Sequence, residues 1–172
     1  MLKILAILAM VFALGFYVYK NQEMKLKVGD KAPGFSLQDS NGKSYSLAEY
    51  KSKSPVIVYF YPKAGTTGCT KEACGIRDNW SKFSQNGIPV LGISVDDKKD
   101  IKQFVDDYKL NFPLLSDNDK TVSKKYGVVG ISGYDRRITF IIDKNSKIAD
   151  IVEVKDIANH ANLIFDKALA LK

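Results

Sequence analysis

Two cysteines stand in the whole chain, in the stretch Cys69-Thr70-Lys71-Glu72-Ala73-Cys74. A thiolate is both a nucleophile and a metal ligand, so a close pair of thiols admits three chemistries: a metal site, a structural staple or a redox pair. A closed zinc site takes four ligands, and the single histidine, His160, lies far along the chain in what reads as the terminal helix. No metal site is expected. A permanent disulfide is opposed by geometry. In one regular helix, residues five apart have Cα atoms about 8.6 Å from each other, beyond the reach of about 7 Å for a bridge. A bond that forms only when a helix turn unwinds suits a reactive pair better than a staple.

The surrounding residues place the two thiols differently. A loop, Pro62-Lys63-Ala64-Gly65-Thr66-Thr67-Gly68, leads into Cys69, and beyond it Ala73, Ile76, Trp80 and Phe83 recur at helical spacing until Gly87 and Pro89 end the pattern. Cys69 is therefore expected at a helix N-terminus, where unpaired amides favour a thiolate, and Cys74 is not.

Ahead of that loop, Pro55-Val56-Ile57-Val58-Tyr59-Phe60-Tyr61 is a continuous β-branched and aromatic run that reads as a central strand buried on both faces. Phe35-Ser36-Leu37 and Tyr45-Ser46-Leu47, around Asp39-Ser40-Asn41-Gly42, read as short edge strands. Pro89 to Val95 is a second buried strand. Ile101, Phe104, Val105 and Tyr108 mark an amphipathic helix that Asp96 or Asp97 can cap. Thr121 to Tyr126 is a short helix stopped by Gly127. Ile138 to Ile142 and Ile148 to Val154 flank the turn Asp143-Lys144-Asn145-Ser146 as a hairpin. A last helix carries Ile157, Ala161, Ile164, Phe165 and Leu169. Strand and helix alternating before a hairpin and a terminal helix predict an α/β, thioredoxin-like fold, a mixed sheet with helices on both faces.

On the pattern Pro-x-x-x-Thr-x-x-Cys, read as Pro62, Thr66 and Cys69, the chain resembles the peroxiredoxins. The stretch YFYPKAGTTGCTKEACGIRDN is similar, nearly residue for residue, to the active-site segment of the peroxiredoxin Q or bacterioferritin-comigratory-protein subfamily, and a looser likeness runs from about Lys27 to the C-terminus. The resemblance implies that Cys69 is peroxidatic, attacking the O–O bond of hydrogen peroxide or an organic hydroperoxide to become a sulfenic acid. It implies further that Cys74 resolves that acid as a disulfide, and that thioredoxin or a similar dithiol protein restores both thiols without metal or organic cofactor. It also assigns Arg137, which opens Arg137-Ile138-Thr139-Phe140-Ile141-Ile142-Asp143, as the arginine of the site, with Arg136 the weaker candidate. Such a guanidinium would stabilise the thiolate and polarise the peroxide, the Thr66 hydroxyl would bond both, and Pro62 would shield them from water. Glu72 also matches a family glutamate, but an acid in a first helical turn is accounted for by the helix dipole and is left outside the catalytic set. Two departures are visible: Thr67 stands where the subfamily usually has proline, and the stretch from Tyr126 to Arg136 is short.

At 172 residues and 45% hydrophobic content the chain holds one core and one globular domain. Ile4 to Tyr19 runs without a charge between Lys3 and Lys20 and covers about 24 Å as a helix, against a hydrocarbon core of roughly 30 Å. Met1, Leu2 and the flanking lysines extend that reach. Bulky residues after Ala13-Leu14-Gly15 argue against cleavage. The expected organisation is a membrane anchor over 1–21, a joint over 22–27 and the domain over 28–172. Lys20, Lys25, Lys27 and Lys31 would hold the domain in the cytoplasm by the positive-inside rule, whereas a short signal-anchor ordinarily exports the domain attached to it; the periplasm-facing orientation is taken as the expectation. Outside the segment, 24 basic residues face 19 acidic ones. These are interspersed as on a solvated helix face, so no nucleic-acid partner is expected, and a monomer or weak dimer is. The rival from another class is a membrane-tethered thioredoxin-like protein that binds a partner or delivers a metal, its disulfide a non-catalytic clip.

Overall fold

The structure, a computed structural model, describes residues 26–172. The expected anchor over 1–21 lies outside the described residues, and among those described no helix is long and apolar enough to cross a membrane.

Seven strands form one mixed sheet: β1 (Ser36–Asp39), β2 (Ser44–Ser46), β3 (Val56–Phe60), β4 (Val90–Ser94), β5 (Leu114–Ser116), β6 (Ile138–Ile142) and β7 (Ile148–Glu153), in the order β2-β1-β5-β4-β3-β6-β7. The run Val56–Phe60 is buried at every position because β3 lies mid-sheet, parallel to β4 on one side and antiparallel to β6 on the other. Its side chains alternate between two cores. Ile57, Tyr59 and Tyr61 face Cys69, Ala73, Ile76, Phe104 and Ile164, while Val56, Val58 and Phe60 face Leu47, Val122, Tyr126 and Phe140. The helices are α1 (Thr67–Asp78), α2 (Trp80–Gln85), α3 (Lys98–Tyr108), α4 (Thr121–Tyr126) and α5 (His160–Leu169), with a 3-10 turn over Leu47–Tyr50. Helices α1, α2, α3 and α5 cover the first core; α4 and the 3-10 turn cover the second. This is the expected thioredoxin-like arrangement.

Three details depart from expectation, and one open choice is settled. β1 is not an edge strand, for it pairs antiparallel with β5 as well as with β2, which alone forms that edge. The helical pattern from Ala73 to Phe83 is interrupted at Asn79, whose side-chain amide donates to the Gly75 carbonyl at 2.8 Å and ends α1 one residue before α2 begins. Of the two candidate caps for α3, Asp97 accepts the Asp100 amide at 2.8 Å, and Asp96 is buried elsewhere. Ile157 precedes α5, which begins at His160.

One close approach fixes a residue type. A methyl group at Gly92 on β4 would lie 2.7 Å from the Tyr59 ring and 2.4 Å from Leu114, so only glycine lets the Tyr59 ring cross the sheet beneath α1.

Candidate active site

The end of β3 delivers the chain into the loop from Tyr61 to Thr66. Asp96, at the end of β4, accepts the Ala64 amide at 2.7 Å and ties this loop to the sheet; Gly65 takes a positive φ of 74° to turn it. Thr66 is the N-cap of α1, and its carbonyl accepts the first helical bond from the Thr70 amide. Its hydroxyl donates to the Lys63 carbonyl at 3.0 Å, bracing the loop. The expected bond from Thr66 to the Cys69 sulfur is not made. The hydroxyl nonetheless stays exposed on the loop that leads to that sulfur.

Thr67 occupies the first helical position, where an N–H has no partner within the helix and proline fits equally well. Its departure from the subfamily pattern therefore leaves the backbone unchanged.

Cys69 lies in the first turn of α1, with its side chain buried against the sheet. The Arg137 guanidinium reaches it from the start of β6, Nη2 standing 3.2 Å from Sγ. Arg136 turns away and donates to the Gly127 carbonyl at 2.8 Å. Space for the guanidinium depends on Gly68, where an added methyl would sit 3.1 Å from Arg137 Nη2. Burial opposes the arginine's charge, but Glu72 and Cys69 beside it outweigh that and raise its pKa above the usual arginine value. The cation is thus fixed on the sulfur.

Glu72, one turn beyond Cys69, has a fully buried side chain that forms an ion pair with Arg137 Nη1. It belongs to the site, not to the helix dipole alone. His160, far along the chain, is nonetheless brought to it: α5 packs on α1 and puts His160 Nδ1 3.1 Å from Glu72 Oε1, while His160 Nε2 stands 2.9 Å from the Thr139 hydroxyl. The i,i+3 spacing of Cys69 and Glu72 was a signal for the first contact. Nothing local in the sequence signals the second, because it depends on how two distant helices pack.

Pro62 is half-buried at the foot of the loop. Above it a tight turn holds the short stretch before Arg137, with the Gly130 amide on the Tyr134 carbonyl at 2.7 Å and the Lys63 ammonium 5.7 Å from the Tyr134 ring centroid. Cys74 lies in the same unbroken helix as Cys69, is half-buried, and both thiols are free. The site therefore presents a buried sulfur under a guanidinium, with a second thiol about one and a half turns along the helix.

A family model described as AhpC/TSA family matches residues 28–151. The chain belongs to this family. Among curated proteins it is 41% identical to peroxiredoxin Bcp of Escherichia coli over 148 residues, covering 82% of this chain and 94% of that one. It is 46% identical to a putative peroxiredoxin bcp of Coxiella burnetii over 136 residues, covering 74% and 89%. Among solved structures it is similar to peroxidoxin BcpB of Mycobacterium tuberculosis, with 34% identity, 86% and 99% coverage and a TM-score of 0.78. PrxQ of Xylella fastidiosa, solved as a cysteine-to-serine mutant, superposes with 26% identity, 84% and 96% coverage and a TM-score of 0.77. The chain is thus a peroxiredoxin of the Bcp and peroxiredoxin Q group, a thiol peroxidase.

Proposed function

We propose that this peroxiredoxin reduces hydrogen peroxide and organic hydroperoxides with Cys69 as the attacking thiolate. The observation that carries the reading is the Arg137 guanidinium 3.2 Å from the Cys69 sulfur. The sulfur attacks one peroxide oxygen, the O–O bond breaks, and Cys69 becomes a sulfenic acid as water or an alcohol departs after taking a proton. A guanidinium with one donor on sulfur is placed to bind the peroxide oxygens as charge develops on the leaving oxygen. Thr66, from the loop, offers its hydroxyl to the incoming peroxide, and Pro62 keeps water from the sulfur.

Cys74 then condenses with the sulfenic acid, giving a disulfide and water. Because both cysteines lie in α1, that step needs the first turn of the helix to unwind. A thioredoxin-like dithiol reduces the disulfide by exchange and is itself oxidised. No metal or organic cofactor enters the cycle. The domain works as a monomer or weak dimer, anchored by residues 1–21 and facing out of the cytoplasm; protease accessibility on intact cells tests that orientation.

A coupled peroxidase assay with thioredoxin and its reductase tests the cycle. Wild type should turn over and Cys69→Ser should not. Cys74→Ser should react once and then stall. Turnover by Cys69→Ser would overturn the assignment, and full turnover by Cys74→Ser would leave its disulfide a mere clip.

A further inference from the structure

We propose that His160 is a positioning residue for the peroxide step, acting through Glu72 to hold Arg137 on the Cys69 sulfur. The inference rests on the reading of Cys69 as the attacking thiolate.

Four side chains close a ring. Arg137 and Thr139 are two residues apart and so share one face of β6, the face on which Thr139 stands opposite Tyr59. Arg137 pairs with Glu72 Oε2, Glu72 Oε1 faces His160 Nδ1 at 3.1 Å, and His160 Nε2 meets the Thr139 hydroxyl at 2.9 Å. The strand thus supplies both ends, and α1 and α5 each supply one link. His160 and Glu72 are both about 1% exposed, so bulk solvent reaches neither contact. The facing atoms Oε1 and Nδ1 stand at ion-pair distance without an aligned hydrogen bond, and neither has another partner.

Proton placement is set by the donors. If the Thr139 hydroxyl donates to Nε2, the ring carries its proton on Nδ1, directed at Glu72. Glu72 then has the guanidinium on one oxygen and, facing the other at 3.1 Å, the imidazole Nδ1 in electrostatic contact rather than an aligned hydrogen bond. Losing the imidazole removes that contact from a buried oxygen that has no hydrogen-bond partner, and the carboxylate is freed to rotate and carry Arg137 with it.

The ring also spans the segment that must unwind. Cys69 and Glu72 share the first turns of α1, so forming the disulfide pulls Glu72 off both His160 and Arg137. His160 therefore acts on two steps in opposite directions, favouring attack on peroxide and restraining resolution.

Rapid mixing of the full-length protein with hydrogen peroxide reads both steps through Trp80, the single tryptophan, which stands where α1 ends. A peroxide-dependent phase reports attack and a peroxide-independent phase reports unwinding and resolution. His160→Leu, which fills the space without a donor, should slow the first phase at least tenfold while the second is unchanged or faster. His160→Asn, whose amide nitrogen falls near Nδ1, should restore the first phase to within about threefold of wild type. Thr139→Val should slow it about threefold.

A packing role alone predicts equal behaviour of the leucine and asparagine variants, and that result overturns the proposal. So does a first phase within twofold of wild type in His160→Leu. If that variant does not fold, a wild-type first phase in Thr139→Val overturns it instead. A wild-type protein with no peroxide-dependent phase would refute the underlying reading of Cys69, a result distinct from all of these.

Discussion

At the scale of single residues, the proposed reactivity depends on one contact between a sulfur and a guanidinium, and the residues around it hold that contact in place. Removing an oriented donor from a developing negative charge costs about 10²- to 10³-fold in rate. Arg137→Met should therefore slow peroxide attack roughly 10²-fold in rapid-mixing kinetics, with the fold intact by circular dichroism. Gly68→Ala should slow it as well, by about tenfold, because the new methyl lies 3.1 Å from Arg137 Nη2 and displaces the guanidinium. A second buried cluster offers a test by pH. The Ser123 hydroxyl, with one proton, lies 2.8 Å from Asp117 Oδ2 and 2.9 Å from Asp135 Oδ2. It bonds both only if one carboxyl is protonated. Burial raises Asp135 to about 7, despite its bond to Ser123 and with Asp117 and Asp96 adding to the rise. The folded protein then holds a proton that the unfolded chain, with an ordinary carboxyl near 3.9, releases. Stability contributed by this group is full below about pH 4 and falls as pH rises to about 7. Asp135→Asn should raise Tm at pH 8 and leave it nearly unchanged at pH 4, which thermal unfolding at the two pH values checks.

At the scale of elements, α1 carries both thiols and the acid paired with the arginine, so the proposed disulfide would couple oxidation to helix integrity. Hydrogen exchange over 67–78 should quicken when the protein is oxidised and return when it is reduced; equal protection in both forms would contradict an unwinding step. The helix and the strands around it were legible because their signals are local. The Val56–Phe60 run, the Ala73 and Ile76 spacing and the Asp143-to-Ser146 turn each carry their own period or turn chemistry. The break at Asn79 was not legible, for its cause is one side-chain amide competing for the Gly75 carbonyl inside an unbroken apolar pattern. Phe35-Ser36-Leu37 looked like an edge because short polar-alternating strands usually are, yet the strand runs on to Gln38 and Asp39, where β5 pairs with it.

At the scale of the whole molecule, the sheet order brings the β3 end, the start of β6 and two helices to one place, and that convergence makes the site. Cys69, Pro62 and Thr66 are neighbours in sequence and are proposed from a motif; Arg137 is proposed from its strand signature, and the structure sets its guanidinium 3.2 Å from the Cys69 sulfur. His160 and Thr139 were missed because only the packing of α5 on α1 and β6 brings them to Glu72. The same convergence makes the sheet intolerant beneath the site. Gly92→Ala would push a methyl into the Tyr59 ring and Leu114, overpacking the core that carries α1, with an expected cost of about 1–3 kcal/mol in denaturant unfolding.

The central claim, that peroxide oxidises the sulfur of Cys69 first, is tested most directly by trapping the product. Cys74→Ser protein is treated with one equivalent of hydrogen peroxide in the presence of dimedone, digested and examined by mass spectrometry. A single dimedone adduct on Cys69 is expected, formed at least tenfold more slowly when Arg137→Met is added. An unmodified Cys69 beside consumed peroxide, or an adduct on Cys74 at a wild-type rate in Cys69→Ser protein, would contradict it.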